Sequence, residues 1–157
     1  MTNNDIIKRI RYTFDYNDEQ MIAIFGLAGL VTTRPEVVNW LKKEEDEYYV
    51  NLPDKRLAYF LNGLIIKHRG AQDGKIPEAE SKMNNNLVLR KLKIAFTLTD
   101  DDVLEILTLV NFHFGKHELS AFFRKPGHGK YRECKDQVLR NFLHGLQIKH
   151  QEKKELL

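Results

Sequence analysis

The chain contains only one cysteine, Cys134, so no disulfide can form within it. It also lacks any apolar run near the ~18 residues that a membrane-spanning helix needs. The first residues, Met1 to Asp5, are polar and acidic, whereas a secretory signal is basic and then apolar. We therefore expect a cytoplasmic protein that does not enter a membrane.

Standard catalytic motifs are missing too. The sequence has no GxSxG, no P-loop, no GxGxxG and no HExxH. This lowers the expectation of an enzyme, and we predict no catalytic residue and no cofactor. An enzyme with a site between two halves of the chain, near His113 or His144, is the weakest alternative.

Two residue types could still carry chemistry. His113 and His117 have the spacing of half a metal site, but the Phe-Gly-Lys between them is typical of a turn, so no metal is predicted. Cys134 would need a neighbouring histidine to act as a nucleophile. We interpret it as a small buried hydrophobic residue.

What the chain does have is an internal repeat. FLNGLIIKH, residues 60–68, returns as FLHGLQIKH, residues 142–150, with seven of nine positions identical. Residues 3–70 align with 85–152 at a constant offset of 82 without a gap, and 18 of 68 pairs are identical. The chain therefore consists of two copies of one unit, which is too few for a solenoid.

The hydrophobic pattern predicts four helices in each copy. In the first copy they lie near residues 5–14, 18–30, 34–43 and 53–67. Asn4 and Asn86 are predicted N-caps of the first helix of each copy. The second helix is apolar on nearly all sides, so we expect it at the buried centre. The prediction is an all-α protein of two homologous units packed with pseudo-twofold symmetry.

The predicted boundaries are a first repeat over 1–70, a linker over 71–84, a second repeat over 85–152 and a fraying polar tail over 153–157. His68 and His150 should each end a fourth helix. Gly63 and Gly145 occupy matched positions inside that helix. Because an interior glycine costs ~1 kcal/mol relative to alanine, the pair predicts a close helix crossing.

Basic residues recur on the first helix of each copy. They form a candidate anion or nucleic-acid patch that comprises Lys8, Arg9, Arg11, Arg90, Lys91 and Lys93. The alternative is an ordinary solvated face. Helices two and three could also form a weak helix-turn-helix, with Asn39 as the one evident base-reading side chain.

The loop after the third helix differs between the copies. It is acidic over Glu44–Glu47, whereas the second copy has Pro-Gly-His-Gly over 126–129. Tyr49 and Tyr131 follow these segments, and we expect each to anchor its loop to the body of its unit. The overall net charge of +3 permits an anionic partner without requiring one.

With these features in view, the chain resembles the YehS-like family of small bacterial proteins, a family of unknown function built from a tandem helical unit. The similarity rests on the segments 3–15, 36–46 and 60–68 and on their counterparts 85–96, 118–125 and 142–150. It implies a bacterial cytoplasmic protein and supplies no catalytic or binding residues. The second copy departs from the first in the loop after the third helix.

Duplication without catalytic residues favours a non-enzymatic interaction or adaptor protein. Its partner would be a macromolecule, either protein or nucleic acid, held in a groove between the halves. The alternative is a nucleic-acid-binding protein that uses the basic face of the first helix. A homo-oligomer is compatible with either function.

Overall fold

The computed structural model describes residues 1–156, which form eight α-helices and no β-strand. The described chain divides into two compact units, the first ending at Met83 and the second beginning at Asn84. The helices of the first unit are α1 (Asn3–Phe14), α2 (Asp18–Leu27), α3 (Arg34–Leu41) and α4 (Asp54–Arg69). The helices of the second unit are α5 (Asn85–Ala95), α6 (Asp100–Thr108), α7 (Lys116–Ala121) and α8 (Asp136–Glu155). The all-α prediction with two similar units is confirmed.

Polar side chains cap several of the helix starts. Asn17, Thr33 and Thr99 each accept a hydrogen bond from the backbone three residues on, which caps α2, α3 and α6. The prediction for the first helix of each copy was wrong. Thr2 caps α1 and Asn84 caps α5, whereas Asn4 and Asn86 lie inside the helices and are buried.

Each unit has its own core, in which the second helix packs mainly against the fourth. Phe25 of α2 contacts both Trp40 and Phe60 through tilted ring pairs with centroids 5.4 and 5.3 Å apart. The prediction that the apolar α2 lies at the buried centre was only partly right. Met21, Ile24 and Phe25 are buried, whereas Leu27 is 41% exposed.

A close helix crossing lies at both matched glycines. A Cβ atom placed on Gly63 would lie 1.9 Å from the carbonyl oxygen of Ile24 in α2. On Gly145 it would lie 2.2 Å from the carbonyl oxygen of Ile106 in α6. Only a residue without a Cβ atom fits, because the neighbouring atoms belong to the helix backbone rather than to a flexible side chain.

The predicted linker and tail have more structure than expected. Ala79 is buried, and the backbone N–H of Met83 donates to Asp54 at 2.9 Å, so the segment is held against the first unit. The tail was predicted to fray, but α8 continues to Glu155, so His150 is not in its last turn. In the first copy, α4 ends immediately before Gly70, whose φ is +77°. The matched residue in the second copy is Glu152, which favours helix, so α8 continues. Among the described helices none is long and apolar enough to cross a membrane.

Candidate nucleic-acid interface

The loop between the third and fourth helices is held in the same way in both units. In the first unit the side-chain amide of Asn4 donates to the carbonyl oxygens of Trp40 and Val50, both at 2.9 Å. Its oxygen accepts from the backbone N–H of Leu52 at 2.9 Å. One buried asparagine on α1 therefore fixes the start and the end of the loop.

Asn86 repeats this arrangement in the second unit. It donates to the carbonyl oxygens of Phe122 and Arg132 at 3.1 and 2.8 Å and accepts from the N–H of Cys134 at 2.9 Å. All three partners lie 82 residues beyond those of Asn4. Asn85 adds a bond of 2.8 Å to Asp136 in the first turn of α8. The two loops therefore start and end in equivalent frames.

These equivalent loops carry opposite charge. We call residues 42–53 the acidic loop and residues 124–135 the basic loop. The acidic loop has two basic and four acidic residues, a net charge of −2. The basic loop has five basic residues and one acidic residue, a net charge of +4. The shared fold does not dictate this difference, because the same backbone frame supports both signs.

All five cations of the basic loop are exposed, and they are Arg124, Lys125, Lys130, Arg132 and Lys135. Lys135 pairs with Glu133 at 3.2 Å, with both side chains at least 70% exposed, so the pair adds little. Arg90 of α5 reaches the base of the loop, where its guanidinium donates to the carbonyl oxygen of Phe123 at 2.6 Å. Arg90 therefore adds a sixth exposed cation at the start of the basic loop.

The first predicted basic triplet is largely engaged within its own unit. Lys8 is half-buried, with its ammonium 5.6 Å from the ring centre of Tyr49. Arg11 pairs with Asp18 at 3.8 Å. Arg9 is also half-buried. The structure thus does not present these three residues as one open patch.

The second triplet divides in the same way. Lys91 is only 9% exposed, and Lys93 pairs with Asp100 and lies 4.3 Å from the ring centre of Phe123. Arg90 alone is exposed and joins the basic loop. The ion pairs Arg11–Asp18 and Lys93–Asp100 occupy matched positions, which indicates a shared structural role for these two cations.

The predicted tyrosine anchors, Tyr49 and Tyr131, lie within the two loops and are half-buried. Burial raises the pKa of Tyr49 above its ordinary value, as expected for a phenol packed against the unit. The hydrogen bonds that fix the loop ends, however, come from Asn4 and Asn86, which we call the asparagine clamp. Sequence reasoning missed this role because the partners lie 36 to 48 residues away along the chain.

The residues considered for catalysis and metal binding show no sign of such a role in their surroundings over residues 1–156. His113, His117 and His144 are exposed. Over residues 1–156 no group of three or more His, Cys, Asp or Glu residues could hold a metal ion. Cys134 is buried, and burial raises the pKa of its thiol to about 12, so it carries almost no thiolate at neutral pH.

The helix-turn-helix interpretation gains little from the geometry. Arg34, at the start of α3, lies 3.4 Å from Glu19 of α2, which leaves it turned toward the preceding helix. The corresponding helix of the second unit, α7, has only six residues. A short helix with an acidic first turn is a poor reader of a major groove.

Comparison with known proteins places the repeats in one family. The family model described as "Protein of unknown function (DUF1456)" matches twice, over residues 3–70 and 85–151. The chain is also 42% identical over 156 residues to the "Uncharacterized protein YehS" of Escherichia coli strain K12, covering 98% of this chain and 99% of that protein. No solved structure matches.

Proposed function

Because this chain belongs to the DUF1456 family, whose function is unknown, we propose a function from its geometry: it is a non-enzymatic interaction module that binds nucleic acid through the basic loop of its second unit. The observation that supports this is the charge inversion between two loops that Asn4 and Asn86 hold in the same frame. The residues for the proposal are those of the basic loop together with Arg90.

The spread of the charges favours a nucleic-acid backbone over a small anion. Five exposed cations lie along twelve residues. A backbone with a phosphate at every nucleotide can engage several separate cations at once and releases counterions as it does so. A single phosphate would instead require donors that converge on one point.

The duplication provides its own control for the test. Lys125 of the basic loop and Lys43 of the acidic loop occupy matched positions, and both are exposed. Binding to a fluorescent single-stranded RNA or duplex DNA of about 20 nucleotides would be followed by anisotropy at several salt concentrations. A slope of about −0.7 per phosphate contact is expected for a single strand.

We expect Lys125→Ala to weaken binding and to reduce the salt slope by about 0.7, whereas Lys43→Ala leaves both unchanged. Equal effects of the two variants would contradict the proposal, as would the absence of binding at low salt. Anionic lipid vesicles and an acidic peptide are tested in parallel. Preference for either of them over nucleic acid would overturn the assigned partner.

A further inference from the structure

A second feature of the molecule lies in the first unit, where α3, residues 50–53 of the acidic loop and the start of α4 form an open pocket of ≈ 350 Å³. Its lining comprises Pro35, Glu36, Asn39, Trp40, Val50, Asn51, Pro53 and Arg56. The lining is largely apolar, with one carboxylate, one guanidinium and two carboxamides. Such a composition suits a small, mostly uncharged group with a polar edge.

The planar guanidinium group of Arg56 is part of the surface of this pocket. Its guanidinium carbon lies 5.3 Å from the ring centre of Trp40, and one of its nitrogens donates to Glu36 at 2.8 Å. Trp40 itself is 3% exposed, whereas the Arg56 side chain is 37% exposed. The surface available to a ligand is therefore the guanidinium rather than the indole.

The hydrogen-bonding capacity of the pocket is only partly used. One oxygen of Glu36 accepts from the backbone and hydroxyl of Thr33 at 3.0 and 3.1 Å, and the other accepts from Arg56. The second oxygen keeps one acceptor position. The Arg56 hydrogen bond is the main reason that the pKa of Glu36 is lowered, so this oxygen belongs to a carboxylate.

The carboxamides complete the polar edge. Within the described chain, Asn39 is half-buried and Asn51 is exposed, and neither side chain has a hydrogen bond to protein. Each amide offers a donor and an acceptor side by side. They are therefore suited to a ligand whose edge also alternates donors and acceptors.

The second unit shows that the fold does not require this arrangement. The residues that match Asn39, Trp40 and Arg56 are Ala121, Phe122 and Val138, and only Glu118 retains its counterpart's identity. Glu118 accepts from the backbone of Gly115 at 3.2 Å, which repeats the capping part of the Glu36 role. The guanidinium of Arg56 and the carboxamide of Asn39 thus have no counterpart in the second unit.

We propose that this pocket binds adenine or cytosine through the exocyclic amino group of the base. The flat base would stack on the guanidinium of Arg56, as bases do on arginine planes. Its amino group would donate to Glu36, and Asn39 would pair with the adjacent ring edge, as carboxamides and carboxylates do with adenine and cytosine. Uracil has a carbonyl oxygen at that place and would meet the Glu36 carboxylate. The inference rests on the proposed binding of nucleic acid.

Free nucleosides test the pocket separately from the basic loop because they carry no phosphate. Trp40 is the only tryptophan of the chain, so its fluorescence reports on this site alone. Adenosine, cytidine, guanosine and uridine would be titrated into the full chain, with the ring-edge variant Asn39→Ala and the neighbouring surface control Lys55→Ala. Salt is varied at a fixed nucleoside concentration.

We expect saturable changes in fluorescence with dissociation constants on the order of 1 mM for adenosine or cytidine and at least about fivefold weaker binding of uridine. Asn39→Ala should weaken binding by roughly tenfold, which corresponds to 1.4 kcal/mol, and Lys55→Ala should not. Salt should have little effect. Equal binding of all four nucleosides, no saturation, or an unchanged Asn39→Ala variant would each overturn the proposal. None of these outcomes depends on whether the basic loop binds phosphates.

Discussion

Replacing Gly63 with alanine adds one methyl group where α4 crosses α2. The new Cβ would lie 1.9 Å from the carbonyl oxygen of Ile24 and 3.0 Å from its Cγ2 atom. Backbone atoms cannot rotate away, so the two helices must separate by about 1 Å, and their contacts weaken along the whole crossing. Overpacking of this kind costs about 1–3 kcal/mol or more, and alanine's better helix propensity returns ~1 kcal/mol. We expect a net loss of about 2 kcal/mol.

Gly26 provides the matched control because it lies inside α2, and a Cβ atom there has no neighbour within 4 Å in the described structure. Gly26→Ala should therefore stabilise the protein by about 0.5–1 kcal/mol. Urea unfolding followed by Trp40 fluorescence measures both variants in the first unit. With a urea dependence of about 1–3 kcal/mol per M, Gly63→Ala should lower the midpoint by roughly 1 M. If both variants changed stability in the same direction by similar amounts, the reasoning about the crossing would be wrong.

Three other predictions concern the buried asparagines Asn4 and Asn86 and the buried thiol of Cys134. Asn86→Ala removes three hydrogen bonds from backbone groups at the ends of the basic loop, so it should lower the free energy of unfolding by about 2–4 kcal/mol. A similar loss is expected for Asn4→Ala. A loss below about 0.5 kcal/mol in urea unfolding of either variant would contradict the role of these asparagines. Cys134 should react with a thiol reagent only when the second unit opens, so its labelling rate at pH 8 should rise with urea well below the unfolding midpoint, and immediate labelling of the native protein would show that the thiol is accessible. The pKa of Cys134 is about 12 in the folded protein and near 8.5 in the unfolded chain. The contribution of this thiol to the free energy of unfolding is therefore constant below pH ~8.5, and stability falls as the pH rises above that value, by up to about 1.4 kcal/mol per pH unit. Cys134→Ala should flatten this slope between about pH 8.5 and 9.5, and an unchanged slope would refute the assignment.

The repeat made much of the fold predictable. Two aligned copies give each helix two independent hydrophobic patterns, and the all-helical architecture follows from them. Gly63 and Gly145 are informative for the same reason, because an unfavourable residue kept at matched positions needs a physical cause. The end of α8 was mispredicted because polarity was read as fraying, although no glycine stands where Gly70 stops α4.

The loop clamp could not be predicted from local sequence. Asparagine is a good N-cap, and only the folded chain shows that Asn4 and Asn86 lie two residues beyond the caps and bond to distant backbone. The basic loop was missed for a different reason. The charge difference between the two loops lies in unmatched residues, so it is visible only in a charge count over 42–53 and 124–135.

Replacing the tip of the basic loop with the sequence of the acidic loop tests the central proposal most directly. Pro126, Gly127, His128 and Gly129 would be replaced by Glu, Glu, Asp and Glu, the residues at 44–47. Both glycines have open space around a new Cβ and neither has a positive φ, so the Asn86 clamp should hold and the unfolding free energy should stay within about 1 kcal/mol. If the basic loop binds nucleic acid, affinity for single-stranded RNA at low salt should fall by at least about tenfold and its salt dependence should flatten. A folded variant that binds RNA as tightly as the parent would contradict the proposal.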